Sequence, residues 1–349
     1  MPEAETEYPA VSYVMPVLNE FGYVQNAIRT VLGQDYPGEK ELVIALGPSN
    51  DGTTELVRKL AAEDGRIHTV ENPDADIPVG LNLAIRASTN PIVVRVDAHS
   101  ELEPGYTMEA VSTLQRTGAA NVGGVMLARG KTAFQSAVAR AYNSPFGLGG
   151  ARYHGGAKEG PAESAYLGVF RREALEQAGL FDETIRRGED WELNLRIRWA
   201  GNTVWFDPEL KVTYWPRENW PKLARQFFAT GVWRAELVRR YGGRNPWRFF
   251  APPLLVLSVV ASIVIGVLQL TGVLHGRLGL AASAIYLAPI LYLLLVLWVS
   301  LMQDEVKPWR DRWLFLVVLP TMHLSWGTGF IVGLVRGARD VNDTSRTEI

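Results

Sequence analysis

Short runs of apolar residues alternate, along the first 210 residues, with segments whose apolar residues recur every three or four positions. The apolar runs predict four β-strands, at residues 11–17, 41–46, 67–70 and 91–96. The segments between them have the spacing of amphipathic α-helices, the first of which begins near Val24. This alternation predicts an α/β domain with a parallel sheet and helices on both faces, in which ligands bind at the carboxyl ends of the strands.

The C-terminal part of the chain has a different pattern. Residues 251–302 contain a single charged residue, Arg277, and residues 313–335 contain none. A membrane-spanning helix needs roughly 20 apolar residues, so we predict about three transmembrane helices, near 251–274, 278–302 and 313–335. Pro320 lies inside the third of these segments, which is therefore also compatible with a kinked or re-entrant helix.

Between these two parts lies a basic and aromatic segment, residues 217–250, with eight basic and two acidic residues. Interleaved basic and aromatic side chains predict amphipathic helices at an anionic membrane surface in preference to the alternative, a juxtamembrane retention signal with some core packing. The domains are therefore expected at 1–216 (catalytic), 217–250 (interfacial), 251–335 (transmembrane) and 336–349 (a polar tail).

Charge and composition narrow the classes of function. Arginine and lysine flank the predicted spans, which predicts a multi-pass protein of the cell membrane with its large domain in the cytoplasm. The N-terminus shows no cleavable signal peptide, in agreement with this orientation. The net charge of −2 gives no basis for a nucleic-acid partner, and the absence of cysteine excludes disulfides and thiolate zinc sites. The sequence carries no signal of the oligomeric state.

Polar residues that could carry chemistry follow the predicted strands. Glu20 follows the first strand, and Asp51 lies in a Ser-Asn-Asp-Gly-Thr turn after the second. Asp97 and His99 end the fourth strand, where residues two apart face the same side and can bind one divalent cation, Mn²⁺ or Mg²⁺. Asp190 opens a helix, where it could accept a proton from a hydroxyl group. Helix and turn capping is the alternative explanation for each carboxylate.

Taken together and in order, these motifs resemble family 2 glycosyltransferases of the GT-A fold, and are most similar to the succinoglycan-biosynthesis type of bacterial membrane glycosyltransferase. The resemblance covers roughly residues 9–240 and rests on the segments VMPVLNE, SNDGT, GLNLAIRAS, IVVRVDAHSELEPG, AYLGVFRREALEQAGLFDE and RGEDWELNLRIRWAG. It implies a GT-A catalytic domain (Rossmann-like, with a mostly parallel sheet), followed by a helical transmembrane region.

The resemblance also implies roles for single residues. Asp190 would be the catalytic base, and Asp97 and His99 would bind the metal. The residues expected to bind the nucleotide sugar are Pro16, Val17, Glu20, Asp51, Gly80, Asn82, Val96 and Asp97. Those expected to bind the acceptor, from their position beside the base or before the membrane helices, are Glu189, Trp191, Arg217, Arg225, Gln226, Trp233 and Arg234.

The sequence departs from the family pattern in three places. Leu46-Gly47-Pro48 replaces the acidic residue that usually precedes the second motif, so a uridine donor is not assumed, and His99 replaces the second aspartate of the metal motif. The Gln-x-x-Arg-Trp motif of processive relatives is absent, which argues against a processive synthase.

The predicted function is inverting transfer of a sugar from a nucleoside diphosphate sugar (UDP- or GDP-linked) to a lipid-linked acceptor. That acceptor would be a polyprenyl phosphate or a polyprenyl-diphosphate-linked sugar, in cell-surface polysaccharide or glycolipid synthesis. The alternatives are a nucleotide-sugar-binding protein without transfer activity, and transfer to a glycan that carries no lipid. A transporter is disfavoured because the three predicted spans contain no Asp, Glu, Lys or Arg; Arg277 lies in the connection between the first two. The glycine-rich segment 147–160 is either a mobile lid over the site or a surface loop.

Overall fold

The structure is a computed structural model that describes residues 8–148, 158–242, 247–302, 309–338 and 341. Most of the glycine-rich segment 147–160, expected as a lid or a surface loop, and most of the polar tail at 336–349 lie outside the described residues.

The N-terminal half of the sheet is parallel, as the sequence predicts. Its four strands stand in the order β3-β2-β1-β4, and their bounds are β1 Val11–Val17, β2 Lys40–Leu46, β3 Ile67–Glu71 and β4 Ile92–Arg95. Val14 in the centre of β1 pairs with Val43 and with Arg95. Since the strands run in the same direction, their carboxyl ends meet at one edge of the sheet.

The other half of the sheet is mostly antiparallel. Its strands are β5 Ser100–Leu102, β6 Asn121–Ala128, β7 Gly160–Pro161, β8 Tyr166–Arg171 and β9 Val204–Tyr214. Strand β8 pairs antiparallel with both β4 and β6, while β6 and β9 pair parallel. Strands β5 and β7 pair antiparallel with β9, and the complete order is β3-β2-β1-β4-β8-β6-β9-β5.

Helices cover both faces of this sheet. Their bounds are α1 Val24–Leu32, α2 Thr53–Glu63, α3 Ile77–Ala87, α4 Tyr106–Thr117, α5 Ala133–Tyr142, α6 Arg172–Ala178, α7 Glu189–Trp199 and α8 Trp220–Tyr241. Strand β1 contributes to a core on each face because successive side chains point in opposite directions. Tyr13 and Met15 pack in one core with α1 and α4, while Val14 packs in the other with α3 and α7.

Four further helices follow: α9 Ala251–Leu270, α10 Gly276–Ala282, α11 Leu287–Met302 and α12 Trp309–Arg336. Short 3₁₀ turns at 247–250 and 283–286 join them to the preceding segments. Three stretches are long and apolar enough to cross a membrane, at 247–270, 276–301 and 312–336. The first two expose most of their apolar side chains, whereas a larger share of the third is buried against the rest of the protein.

Candidate active site

The carboxyl ends of β1 and β4 open into a cavity of about 1160 Å³. The start of α7 forms another wall, and α8 lines the side next to the apolar helices. The cavity continues between those helices, where Pro252 and Leu255 of α9, Leu295 of α11 and Met322 and Trp326 of α12 line it. One space therefore connects the polar end of the sheet with the apolar helices.

Arg95, the last residue of β4, lies at the centre of the polar wall. Its side chain is only 4% exposed and forms ion pairs with three carboxylates. Its Nη2 atom lies 3.3 Å from Asp97 Oδ1 and 3.0 Å from Glu189 Oε1, and its Nη1 atom donates a short hydrogen bond to Asp190 Oδ1. Asp97 and Asp190 come from distant parts of the chain and share this single counter-ion.

The environment of Asp190 changes its acidity. Burial raises the pKa of Asp190 to about 7, the Arg95 guanidinium opposes this rise, and the nearby carboxylates of Glu189 and Asp97 add to it. The side chain nevertheless keeps 23% of its surface exposed and lines the cavity. Asp190 therefore lines a cavity that is large enough for a ligand, and the pKa of its carboxyl group lies close to neutral pH.

His99 lies between two carboxylates. Its Nδ1 atom is 3.2 Å from Glu20 Oε1, and its Nε2 atom is 4.0 Å from Asp97 Oδ2. The ring also packs edge-on against Tyr214, with centroids 5.3 Å apart. Glu20 thus fixes the orientation of the imidazole in the way that outer-sphere carboxylates orient metal-binding histidines.

Among the described residues, no group of three or more Asp, Glu and His side chains is arranged to hold a metal ion. The chemistry of the Asp97–His99 pair nevertheless fits a divalent cation, since a carboxylate oxygen and an imidazole nitrogen face each other within one cavity.

The residues predicted to bind the donor fall into two groups. Pro16, Val17, Glu20 and Asp97 line the cavity. The described lining does not include Asp51, Gly80, Asn82 or Val96.

Each residue of the second group has a local structural role. Asp51 Oδ1 accepts a hydrogen bond from Thr53 N (3.0 Å) and Oδ2 accepts one from Phe21 N (3.1 Å), which joins the first two loops. Asn82 is bonded to the backbone of Phe181 in both directions, at 2.9 and 3.0 Å. Gly80 lets α3 approach the sheet, because a Cβ there would lie 2.7 Å from Asn72 Nδ2, and Val96 is fully buried in the core. A role of these four residues in donor binding stays a prediction.

The residues predicted to bind the acceptor divide in the same way. Those that line the cavity are Glu189, Trp191, Arg217, Gln226 and Arg234. Arg225 is exposed on α8 outside the described lining, and Trp233 is buried, with its Nε1 atom donating to the carbonyl oxygen of Val341 (3.0 Å).

Several residues that line the cavity were not identified from the sequence: Arg95, Tyr142, Arg187, Tyr214, Phe249 and His323. A signal was present for Arg95, since an arginine inside an otherwise apolar strand requires a buried partner. The ring nitrogens of His323 lie 2.9 Å from the Tyr292 hydroxyl oxygen and 2.9 Å from the carbonyl oxygen of Phe146. His323 therefore joins α11 and α12 to the loop after α5, a contact that sequence spacing does not reveal.

Comparison with known proteins agrees with this geometry. The profile of Glycosyl transferase family 2 matches residues 12–179. The succinoglycan biosynthesis protein ExoA of Rhizobium meliloti (strain 1021) is 30% identical over 319 residues, which cover 91% of this chain and 92% of that protein. A Methanococcus voltae enzyme, dolichyl N-acetyl-alpha-D-glucosaminyl phosphate 3-beta-D-2,3-diacetamido-2,3-dideoxy-beta-D-glucuronosyltransferase, is 24% identical over 267 residues, 73% of this chain and 81% of that one.

Among solved structures, the mannosyltransferase PcManGT from Pyrobaculum calidifontis, in complex with GDP-Man and Mn²⁺, superposes with a TM-score of 0.62. The two proteins are 19% identical, and the match covers 94% of this chain and 87% of that one. The expected fold, a GT-A-like domain with a mixed, mostly parallel sheet followed by apolar helices, is thereby confirmed. The identity and coverage of the match to the Rhizobium protein show that the chain belongs to glycosyl transferase family 2.

Proposed function

We propose that the protein is a membrane-bound, metal-dependent, inverting glycosyltransferase that moves a sugar from a nucleoside diphosphate sugar to a lipid-linked acceptor. The acceptor class is a polyprenyl phosphate or a polyprenyl-diphosphate-linked sugar. The protein would be a multi-pass protein of the cell membrane with its catalytic domain in the cytoplasm.

One observation carries this proposal: the cavity that contains Asp97 and Asp190 continues between the apolar helices α9, α11 and α12. A soluble acceptor needs no apolar passage. A lipid-linked acceptor must bring its sugar or phosphate to the sheet while its hydrocarbon chain stays in the bilayer. The cavity offers a polar end and an apolar end for these two parts.

In the proposed mechanism, the Asp190 carboxylate takes the proton from the attacking oxygen of the acceptor, which is a hydroxyl of a lipid-linked sugar or the P–OH of a polyprenyl phosphate. The acceptor oxygen then forms a bond to the anomeric carbon from the face opposite the leaving group. The bond between that carbon and the diphosphate oxygen breaks, and its electron pair leaves with the nucleoside diphosphate. A single displacement inverts the anomeric configuration. A pKa near neutral pH suits a general base, because the carboxylate is both available and basic enough to accept a proton.

Asp97 and His99 would hold the divalent cation, and Glu20 would orient the imidazole. When bound, such a cation offsets the negative charge that develops on the departing diphosphate. The name of the Pyrobaculum complex, which contains GDP-Man and Mn²⁺, supports this choice of donor and metal.

Arg95 would position the base. It forms an ion pair with Asp190 and compensates three carboxylates that would otherwise repel one another. In this way Arg95, at the end of β4, would fix both the orientation and the protonation state of the Asp190 carboxylate that accepts the proton.

The acceptor phosphate has a suitable cationic partner in Arg234 on α8. Its guanidinium stacks on the rings of Phe249 (4.1 Å to the centroid) and Trp191 (5.4 Å), and it lines the cavity. Stacking on two aromatic rings orders the guanidinium beside the cavity, where a planar cation suits a phosphate group. Arg217 lines the same cavity. The Methanococcus relative, whose name describes a dolichyl-phosphate-linked acceptor, supports this class of substrate.

The test uses membranes that contain the protein, incubated with Mn²⁺ and a panel of UDP- and GDP-sugars. Mass spectrometry of the lipid extract should show a polyprenyl lipid heavier by one sugar residue, and NMR of the product should show the inverted anomer. Membranes without the protein are the control. Product in the water-soluble glycan fraction alone would favour the non-lipid acceptor, and donor binding without any product would favour a binding protein.

A further inference from the structure

Helix α12 is apolar enough to cross a membrane, but its contacts differ from those of the other two apolar stretches. Residues 312–336 measure about 37 Å end to end at 1.5 Å per residue, more than the hydrocarbon core of a bilayer. A helix that crosses the bilayer has its two ends on opposite sides of it. Each end of α12 instead packs against the same catalytic domain.

The first end contacts helix α5. Phe315, Val318 and Leu319 are fully buried in one cluster with Ala137 and Tyr142 of α5. The Arg140 guanidinium of α5 also lies 4.7 Å from the centre of the Phe315 ring.

The second end contacts helices α7 and α8. Ala338, just past α12, is fully buried in a cluster with Trp191 of α7 and Leu237 of α8. The Trp233 indole donates a hydrogen bond to the carbonyl oxygen of Val341 (3.0 Å), which holds the chain beyond the helix in the same place.

Between its ends, α12 lies so close to α8 that no side chain larger than glycine fits at two positions of the contact. A Cβ at Gly329 would overlap the carbonyl oxygen of Phe228, and one at Gly333 would overlap the backbone at Val232. Contacts with α5, α8 and α7 therefore run from Phe315 to Ala338, along α12 and just past its end, and α12 also contacts the apolar helices α9 and α11.

Helices α9 and α11 behave differently: in the part of the chain that the structure describes, α9 contacts α12 near its start, at Pro252, and α11 contacts α12, Phe146 and α5 from Tyr292 to Ser300. Ser300, near the end of α11, accepts a hydrogen bond from Arg140 through its carbonyl oxygen (3.1 Å). At the far end of the pair, Gln269 of α9 bonds to Tyr286 (2.8 Å) and Ser283 (2.9 Å) in the returning segment. The two helices form a hairpin that leaves the domain and returns to it.

We infer that the chain crosses the membrane twice, through the α9–α11 hairpin, and that α12 lies in the plane of the bilayer surface beneath the catalytic domain. The C-terminus then stands on the same side of the membrane as the catalytic domain. This arrangement replaces the third crossing expected from the sequence and is independent of the reaction that the protein catalyses.

The outer face of α12 fits a lipid surface. Trp313, Val317, Leu324 and Val335 follow one another on a single stripe, and three of the four are more than half exposed. The opposite stripe is the one packed on α5 and α8. A helix with one face on protein and an apolar face outward is stable only where lipid covers that face.

The charges of the tail agree with this arrangement. Arg336 ends α12, Arg339 and Arg346 follow it in the sequence, and three crossings would place them opposite the other basic loops. With two crossings, the basic residues before α9, between α11 and α12, and after α12 all lie on one side, as the positive-inside bias requires.

The test exploits the absence of cysteine from the chain, which makes every introduced cysteine a unique label. Ala62→Cys marks the catalytic domain, Val273→Cys marks the far end of the hairpin, and Ser345→Cys marks the tail. A membrane-impermeant maleimide is applied to right-side-out and inside-out vesicles. We expect Ser345→Cys to react in the same vesicles as Ala62→Cys, and Val273→Cys to react in the others. Labelling of Ser345→Cys together with Val273→Cys would overturn the inference, as would labelling of all three from one side.

A depth measurement tests the flat helix directly. Nitroxide labels at Val317→Cys, Leu324→Cys and Val335→Cys are compared by power-saturation EPR with oxygen and a polar nickel chelate. A flat α12 gives the three labels the same depth within the error of the measurement, whereas Val264→Cys in α9 should be deeper. A helix that crosses the bilayer would place the label at 324 deepest and those at 317 and 335 near opposite surfaces, which would overturn the inference.

Discussion

Replacing Arg95 with methionine removes the positive charge shared by Asp97, Glu189 and Asp190. Methionine fills a similar volume, so the packing of β4 changes little while the charge is lost. The three carboxylates then lie close together inside the protein without a counter-ion. The folded state becomes less stable relative to the unfolded one, in which water solvates each carboxylate.

The magnitude follows from the distances. At 3.0 to 3.3 Å and an effective dielectric constant of about 20, the ion pairs of Arg95 with Glu189 and Asp97 each contribute about 5 kcal/mol of gross attraction. The desolvation of the guanidinium offsets much of this sum. Removing one partner of a buried ion pair costs about 3–5 kcal/mol, which is a large fraction of the total stability of a domain.

The assay is urea denaturation in detergent micelles, followed by far-UV circular dichroism at pH 8 and pH 6. In the variant the folded-state pKa of Asp190 rises further above its unfolded value, because burial remains and the opposing guanidinium is gone. A group with a raised folded-state pKa binds its proton more tightly in the folded state, so the stability deficit shrinks as the pH falls through that pKa. We therefore expect the larger deficit at pH 8.

The matched control is Arg58→Met, which removes an ion pair with Glu71 of similar length (2.9 Å) but more than half exposed on both sides. An exposed pair contributes about 0–1 kcal/mol. The reasoning is refuted if the two variants lose the same stability, or if the deficit of Arg95→Met does not depend on pH.

Three further predictions concern the base, the metal and the helix contact. Because burial raises the pKa of Asp190 to about 7, its base form is lost below that pH, and kcat/KM for transfer should fall about tenfold per pH unit; a flat profile down to pH 5.5 would contradict this. His99→Ala should raise the Mn²⁺ concentration for half-maximal activity by at least about tenfold, measured by metal titration, and an unchanged titration would remove His99 from the metal site. Gly329→Ala should destabilise the protein by about 1–3 kcal/mol, measured by thermal denaturation, because the added Cβ meets the backbone of α8. Gly65→Ala, which meets nothing within 4 Å, is its control, and equal shifts would argue against a close α8–α12 contact.

The N-terminal half of the fold could be predicted from the sequence because its elements are local and strongly patterned. Strand β1 was predicted at the bounds that the structure shows, since a continuous apolar run of seven residues fits a buried parallel strand. The second half of the sheet could not be predicted in this way. Strand β8 enters between β4 and β6 in the antiparallel direction, a pairing that depends on contacts between residues far apart in the chain.

The candidate site was predicted in part. Asp97 and Asp190 are far apart in sequence, and a common site for them was expected only through the family resemblance, whereas their shared contact with Arg95 was not predicted. Asp51 shows why other residues were harder to assign: a carboxylate that caps a turn and one that binds a ligand occupy the same kind of position after a strand.

The apolar helix α12 illustrates a further limit of sequence patterns. Its composition satisfies the requirement for a membrane span, because a side chain buried against protein and one exposed to lipid are equally apolar. Only the contacts of Gly329 and Ala338 with the catalytic domain distinguish the two environments.

The central claim is that Asp190 removes the proton from the acceptor hydroxyl in the cavity that binds the donor. Its most direct test compares Asp190→Asn with Asp74→Asn, an exposed aspartate outside the described lining of the cavity, in two measurements on the same membranes. These are the transfer of radiolabelled sugar to lipid and the affinity for the nucleotide-sugar donor. We predict that Asp190→Asn loses transfer by a factor of at least about 10² while its donor affinity stays within severalfold of the parent, and that Asp74→Asn changes neither. Lipid labelling by Asp190→Asn at the parent rate would contradict the account.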